Sequence, residues 1–400
     1  MKEKIKFYLR NLLKYGTKLN ENDTLIVVLS DMDKIVIECF RELKNEFKLK
    51  NVIFKEKNYK KIYNLLKNIN ESEINKYIPK LDIDSKVNDT KFIIFPDDSL
   101  SWFETTLLYD IELEDKYDKY MKIDNEKNSK FYELYSNCYI TIGACVTKEW
   151  AFLLYGGRHG QKQLLWDDLL KTIPETEFEM KKYLDKLKEI KRYLNDLKIK
   201  ELYFNTKLGT DFKIGLSQYS RWVNNFDNPF INEVGYLFNF PSYEIYTAPD
   251  MYTADGKIVI SKASSLLGFE VNCGEITLEK GKIISLSTDN RTWERMLMIK
   301  ENKLNRIGEI ALVSEDSYIA KLKKDFDNLL LDENAGCHLA FGNSLKECYE
   351  LVGIDNKEKC NFYDSLYHQD IVFGHSSINV SCKTFDGKKK VLIENGNWKI

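Results

Sequence analysis

Imidazoles and carboxylates are the side chains that can hold a divalent cation or move a proton near neutral pH. This chain has only four histidines, His159, His338, His368 and His375. His368-Gln369-Asp370 puts an imidazole and a carboxylate at i and i+2. The following Ile371-Val372-Phe373-Gly374 favours a strand, on which i and i+2 share a face, so both side chains can reach one ion. His338 follows Asp332-Glu333-Asn334, which brings nitrogen and oxygen donors close together. Each feature also has a plainer reading. A lone His-x-Asp pair is more often a hydrogen-bonded polar pair. Asp332-Glu333 can be a helix start, because Asp caps backbone amides well. Glu244 and Glu309, taken singly, read as surface carboxylates, and His159 and His375 as histidines without a ligand role.

The elements that must position these groups follow from the rest of the chain. Its 400 residues exceed one ordinary core and predict two domains, divided near residue 200 into 1–200 and 201–400. In the first part short apolar runs alternate with helical stretches. Strands are expected at 24–30 (TLIVVLS), 51–54, 91–96 (KFIIFP) and 139–144, with a helix over 33–47. That alternation predicts an α/β domain with a mostly parallel sheet. No GxGxxG follows the first strand, so a dinucleotide is not indicated. The basic Gly156-Gly157-Arg158-His159-Gly160 loop lacks the Lys-Ser/Thr of a phosphate-binding loop.

Residues 101–136, rich in acids and Tyr, read as a solvated insertion. A long charged helix is expected over 175–197, able to bridge the halves. Beyond it, short segments punctuated by Gly215, Gly256, Gly268, Gly274, Gly281 and Gly308 predict an α+β, β-rich domain. With 60 basic and 62 acidic side chains, the formal charge of −2 gives no support for nucleic acid or an anionic membrane as partner. No apolar run approaches the ~18 residues of a membrane span. Residues 1–16 read as a first helix and not a signal segment. Eight cysteines without a CxxC pair predict reduced thiols and a cytoplasmic setting.

Four segments, taken together, add a resemblance. They are the run from Asn239 to Asp250 (NFPSYEIYTAPD), Arg306 to Val313 (RIGEIALV), Leu330 to Gly342 (LLDENAGCHLAFG) and Ser365 to Asp370 (SLYHQD). In that order and spacing the chain resembles the aminopeptidase T family of metallo-aminopeptidases, which includes aminopeptidases S and II. The likeness is specific from about residue 205 onward. It implies a site for two divalent metals (Zn, Co, Mn or Mg) held by Glu244, Glu309, His338, His368 and Asp370, with Glu309 as bridge. It implies Glu333 as a sixth ligand or close neighbour, and Glu309 and Glu333 as the catalytic carboxylates. Short peptides would be the substrates, the free α-amine ligating or neighbouring one metal. A homodimer is implied as well.

Three positions depart from the family's usual pattern. Leu345 replaces a Tyr seven residues after the histidine of the DEN segment, which implies slower turnover or a substitute group. Tyr363 replaces an Asn, and Ser242-Tyr243 replaces Thr-Glu ahead of Glu244. Two other readings compete. Ring-cleaving dihydroxypyridine dioxygenases resemble this family, and His338, His368 and Asp370 suffice for one Fe(II); Glu244 and Glu309 discriminate, since one iron has no need of them. A catalytically weakened metal-binding homologue is the third reading, motivated by Leu345.

Overall fold

The computed structural model describes every residue except 18, 98–99, 228–236, 267–268, 301–302 and 350–359, so the expected turn at Gly268 lies outside the described residues. The chain divides into two compact units. The first comprises residues 1–170 and 230–241, the second 171–229 and 242–400.

The first unit is built on a five-stranded parallel sheet. Its strands are β1 (Thr24–Leu29), β2 (Asn51–Glu56), β3 (Thr90–Ile94), β4 (Tyr139–Gly143) and β5 (Leu237–Phe240). They lie in the order β2-β1-β3-β4-β5, with Thr24 beside both Asn51 and Thr90, Lys91 beside Tyr139, and Ile140 beside Leu237. Every position of β1 is buried, as an unbroken apolar run predicts for an inner parallel strand. The helix Lys34–Glu46 begins at Asp33, whose carboxylate accepts from the amides of Ile35 (2.8 Å) and Val36 (3.4 Å). The expected first helix spans Lys2–Asn11. Among the described residues no helix is long and apolar enough to cross a membrane.

Two expectations change. Residues 101–136 are not a solvated insertion but belong to three helices, Leu100–Leu108, Ile111–Lys127 and Ser129–Asn137. Phe103 and Leu113 pack with Ile62, Leu66 and Ile74, while Phe131 and Leu134 pack on Ile26 and Phe92 of the sheet. Asp124, one of the acids taken as solvated, is buried and pairs with Lys55 at 2.8 Å. The aromatic residues supply the core face, and their mixture with acids hid the helical period. The long helix runs Glu177–Asp196 and places Leu187, Ile190 and Leu194 in the core of the second unit. The compact units therefore part before this helix, whereas the sequence reading divides the chain after it.

The second unit is β-rich. Eight antiparallel strands form one sheet, from Lys282–Thr288 at one edge through Ile199–Asn205 to Asn397–Trp398 at the other. A four-stranded antiparallel sheet carries β6 (Ile245–Thr247), β7 (Ile307–Leu312), β8 (His338–Gly342) and β9 (His368–Val372), in the order β9-β8-β7-β6. One face of it, with Ile245, Ile310, Leu312, Leu339, Phe341 and Ile371, joins a single core with Leu202, Phe204, Ile214 and Ile258 of the larger sheet. Side chains alternate between faces along a strand. Everything between those apolar residues must therefore point the other way.

Candidate metal centre

Register puts the candidate residues on that other face. In antiparallel pairs, opposed residues share a face. Glu309 lies opposite Ala340, and Ala340 opposite Asp370. His338 lies opposite Ala311, and His368 opposite Gly342. Three rows thus run across the sheet, with Ala340 between Glu309 and Asp370, Ala311 beside His338 and Gly342 beside His368. The small residues leave the space above the sheet to the polar groups. A bulge between Ile307 and Glu309 sets Glu309 into register. Gly308 at this bulge has no room for a side chain, because an added Cβ would lie 2.1 Å from the carbonyl oxygen of Gly342.

The outcome is two buried triplets that share one carboxylate. Glu244, Glu309 and His338 offer donor atoms all within 4.8 Å of one another, and so do Glu309, His368 and Asp370. His338 Nε2 lies 3.0 Å from Glu244 and 3.9 Å from Glu309. His368 Nε2 lies 3.1 Å from the other oxygen of Glu309 and 3.5 Å from Asp370. Glu333 stands at the end of the short helix Leu329–Glu333, close enough for its charge to act on Glu244, Glu309 and Asp370.

Each side chain is held from behind. His338 Nδ1 faces the carbonyl of Gly336 at 3.1 Å, and His368 Nδ1 that of Asn343 at 3.0 Å. A carbonyl only accepts, so both Nδ1 atoms carry hydrogen and both Nε2 atoms face the carboxylates. One oxygen of Glu244 accepts from Asn225 (3.0 Å) and Ser242 (3.2 Å), leaving the other toward His338. Asn334 accepts from the amide of Tyr243 at 2.6 Å and donates to Glu333 at 3.3 Å, tying the two segments together. Asn328 caps the short helix, and Asp332 accepts from the amides of Phe326 and Asn328, each at 3.0 Å. Asp332 therefore holds a loop, while Glu333 faces the cluster.

The electrostatics are those of a site short of positive charge. Burial pushes Glu333 well above the usual carboxylate range, and the neighbouring Asp370, Glu244 and Glu309 push it further. Burial also raises Glu309, against the opposing hydrogen bond of His368. Burial would lower His338, but its bond to Glu244 outweighs this and holds it at about 9. His368 is likewise raised by Asp370 and Glu309 over the opposing effect of burial. Asp370 is driven up by burial and down by His368, and the second effect prevails. Protons thus supply the charge that the carboxylates demand. Four carboxylates and two imidazoles also form a mixed O/N donor set suited to divalent cations. The residues present fit such ions.

Every candidate ligand of the sequence reading lies in this cluster, with Glu333 at its side. His159 and His375 lie elsewhere; His375 contacts Ser377. The departures from the family pattern have local accounts. Ser242 supports Glu244, and the Tyr243 hydroxyl donates to the carbonyl of Thr172. The Tyr363 hydroxyl reaches Asn305 at 3.0 Å. Leu345 packs against the cluster of Tyr246, Ala311 and Cys348. Sequence reasoning missed Asn225 and the two carbonyls behind the imidazoles. A lone Asn carries no signal, and backbone acceptors carry none.

Residues 1–398 match the family described as thermophilic metalloprotease (M29). Aminopeptidase PepS of Streptococcus thermophilus is 30% identical over 274 residues, 65% of this chain and 65% of its own length. Aminopeptidase AmpS of Bacillus subtilis (strain 168) is 27% identical over 270 residues, 64% of this chain and 65% of its own. The chain thus matches a little under two thirds of the length of these relatives. The solved structure of wild-type AmpT from Thermus thermophilus superposes with a TM-score of 0.78 over 100% of both chains at 20% identity, which is a likeness of fold. This chain belongs to the M29 family of thermophilic metalloproteases.

Proposed function

We propose that this protein is a metallo-aminopeptidase that releases N-terminal residues from short peptides at a dinuclear metal site. The observation that carries the reading is Glu309, the one carboxylate common to both donor triplets. Glu244 and His338 would hold one ion, His368 and Asp370 the other, with Glu309 between them and Glu333 beside them. Divalent cations there (Zn, Co, Mn or Mg) supply Lewis acidity, which lowers the pKa of water and polarises a carbonyl.

The chain's own groups do the rest. Asn225 and Ser242 fix one oxygen of Glu244 so that the other faces the cluster. The carbonyls of Gly336 and Asn343 fix the tautomers of His338 and His368. Glu333, at the end of the short helix Leu329–Glu333 and beside the cluster, would take a proton from water and return it to the leaving amine. The thiols support a reducing cytoplasm, and the family resemblance supports a homodimer.

The test is metal content per chain on protein purified without chelator, with hydrolysis of aminoacyl-p-nitroanilides measured on the same sample. Two divalent ions with chelator-sensitive turnover are expected. One iron without peptidase activity would instead favour the ring-cleaving oxygenase. Two ions without turnover would leave a metal-binding homologue and turn attention to Leu345.

A further inference from the structure

Tyr246 lies two residues beyond Glu244 on β6 and opposite Ala311, which puts it on the same sheet face as the cluster. Its ring packs with Ala311 and Cys348, and its hydroxyl donates to Glu347 Oε1 at 3.0 Å. Glu347 sits on the one-turn helix Lys346–Cys348, reached directly from β8 through Asn343, the residue whose carbonyl holds His368. The charge of His368 acts on Glu347, and those of Glu309 and Glu244 act on the adjacent Cys348 thiol. Glu347 therefore stands at the rim of the same site. It is partly exposed, and among the described residues no Lys, Arg or His makes an ion pair with it. One oxygen accepts from Tyr246, and the carboxylate also feels its own backbone amide and the charges of His368 and Lys346.

A partly buried carboxylate, oriented by a phenol and without an ion pair among the described residues, can receive a cation. We propose that Glu347, positioned by Tyr246, receives the α-ammonium of the substrate and so selects peptides with a free N-terminus. The inference rests on the aminopeptidase reading above. It assigns amine recognition to a side chain outside the six residues of the metal cluster. Loss of the Glu347 charge removes a charge-assisted hydrogen bond, whereas loss of the Tyr246 hydroxyl only loosens the carboxylate.

The experiment measures binding of L-leucinol and N-acetyl-L-leucinol to the metal-loaded full chain by calorimetry, with hydrolysis of leucine p-nitroanilide and metal content measured in parallel. Wild type should bind the free amine more tightly. Glu347→Gln should cut that preference by about tenfold or more, and Tyr246→Phe by about threefold, both at unchanged metal content. If both variants keep the wild-type preference, or if wild type shows none, the assignment is overturned. Neither alcohol carries an amide on the carboxyl side of its amine-bearing carbon, the bond an aminopeptidase cuts, so binding is read whether or not the enzyme turns over. A wild type that prefers the amine but does not hydrolyse leucine p-nitroanilide would break the peptidase reading and leave the Glu347 assignment standing.

Discussion

Strands β1 and β7 are each buried at all six positions, yet they bury different things. β1 reads TLIVVL and gives both of its faces to aliphatic packing. β7 reads IGEIAL and gives one face to the core and the other to Glu309. Burying Ile26 or Val27 contributes stability through area removed from water. Burying Glu309 costs stability unless the charge is met. The comparison separates residues that hold a fold from residues that a fold holds at a cost, and the second kind marks the site.

The sharpest way to break the comparison is Glu309→Gln. Both ions should be lost and hydrolysis should fall by at least about 10²–10³-fold, at far less cost in stability than a core truncation. Elemental analysis and initial rates check this; two retained ions with full activity would refute the assignment of Glu309. The converse is Ile26→Ala in β1, which should destabilise by about 2–5 kcal/mol with metal content per folded chain unchanged, read from denaturant unfolding. Next in size, Asn225→Ala removes one of the two donors that hold the second oxygen of Glu244 and should weaken metal affinity by about 10–100-fold, seen in competition with a chelator.

The smallest effect is in pH. His338 is raised from 6.5 to about 9 in the metal-free fold, and His368 and Glu333 shift the same way. A raised pKa means more protons bound in the folded state than in the unfolded one. Its stabilisation is complete below 6.5 and is lost as pH rises through about 9. The thermal midpoint of metal-free protein should therefore fall between pH 6.5 and 9. Bound ions replace those protons, so the metal-loaded protein should show a flatter profile.

The same contrast explains what the sequence made legible. Continuous apolar runs marked β1, β3 and β4 because a largely buried strand has a pattern of its own, while the half-buried edge strand β2 was marked only by its Val52-Ile53-Phe54 run. His368 and Asp370 were legible as a pair because i and i+2 on a strand share a face. Glu244 and Glu309 had no such local signal, and only the four segments read together raised them above surface carboxylates. The facing of Glu309 across Ala340 to Asp370 depends on register among three strands far apart in sequence, which no window contains. The helices over 100–137 were missed because Phe103, Leu113 and Phe131 carry the apolar face among many acids. β5 was missed because it is four residues long and falls inside a segment read for its chemistry.

That short strand governs the order in which the protein can be made. Synthesis runs from the N-terminus, and folding units tend to form as they emerge. β4 pairs with β3 on one side and waits for β5 on the other, so its second edge stays unpaired until residue 240 has been added. By then the helix Glu177–Asp196 and the strands Ile199–Asn205 and Asp211–Gly215 of the second unit already exist. A nascent chain stalled after residue 170 would carry every other strand of the first sheet and still expose a row of unsatisfied amides and carbonyls. The first unit closes only once the second has begun.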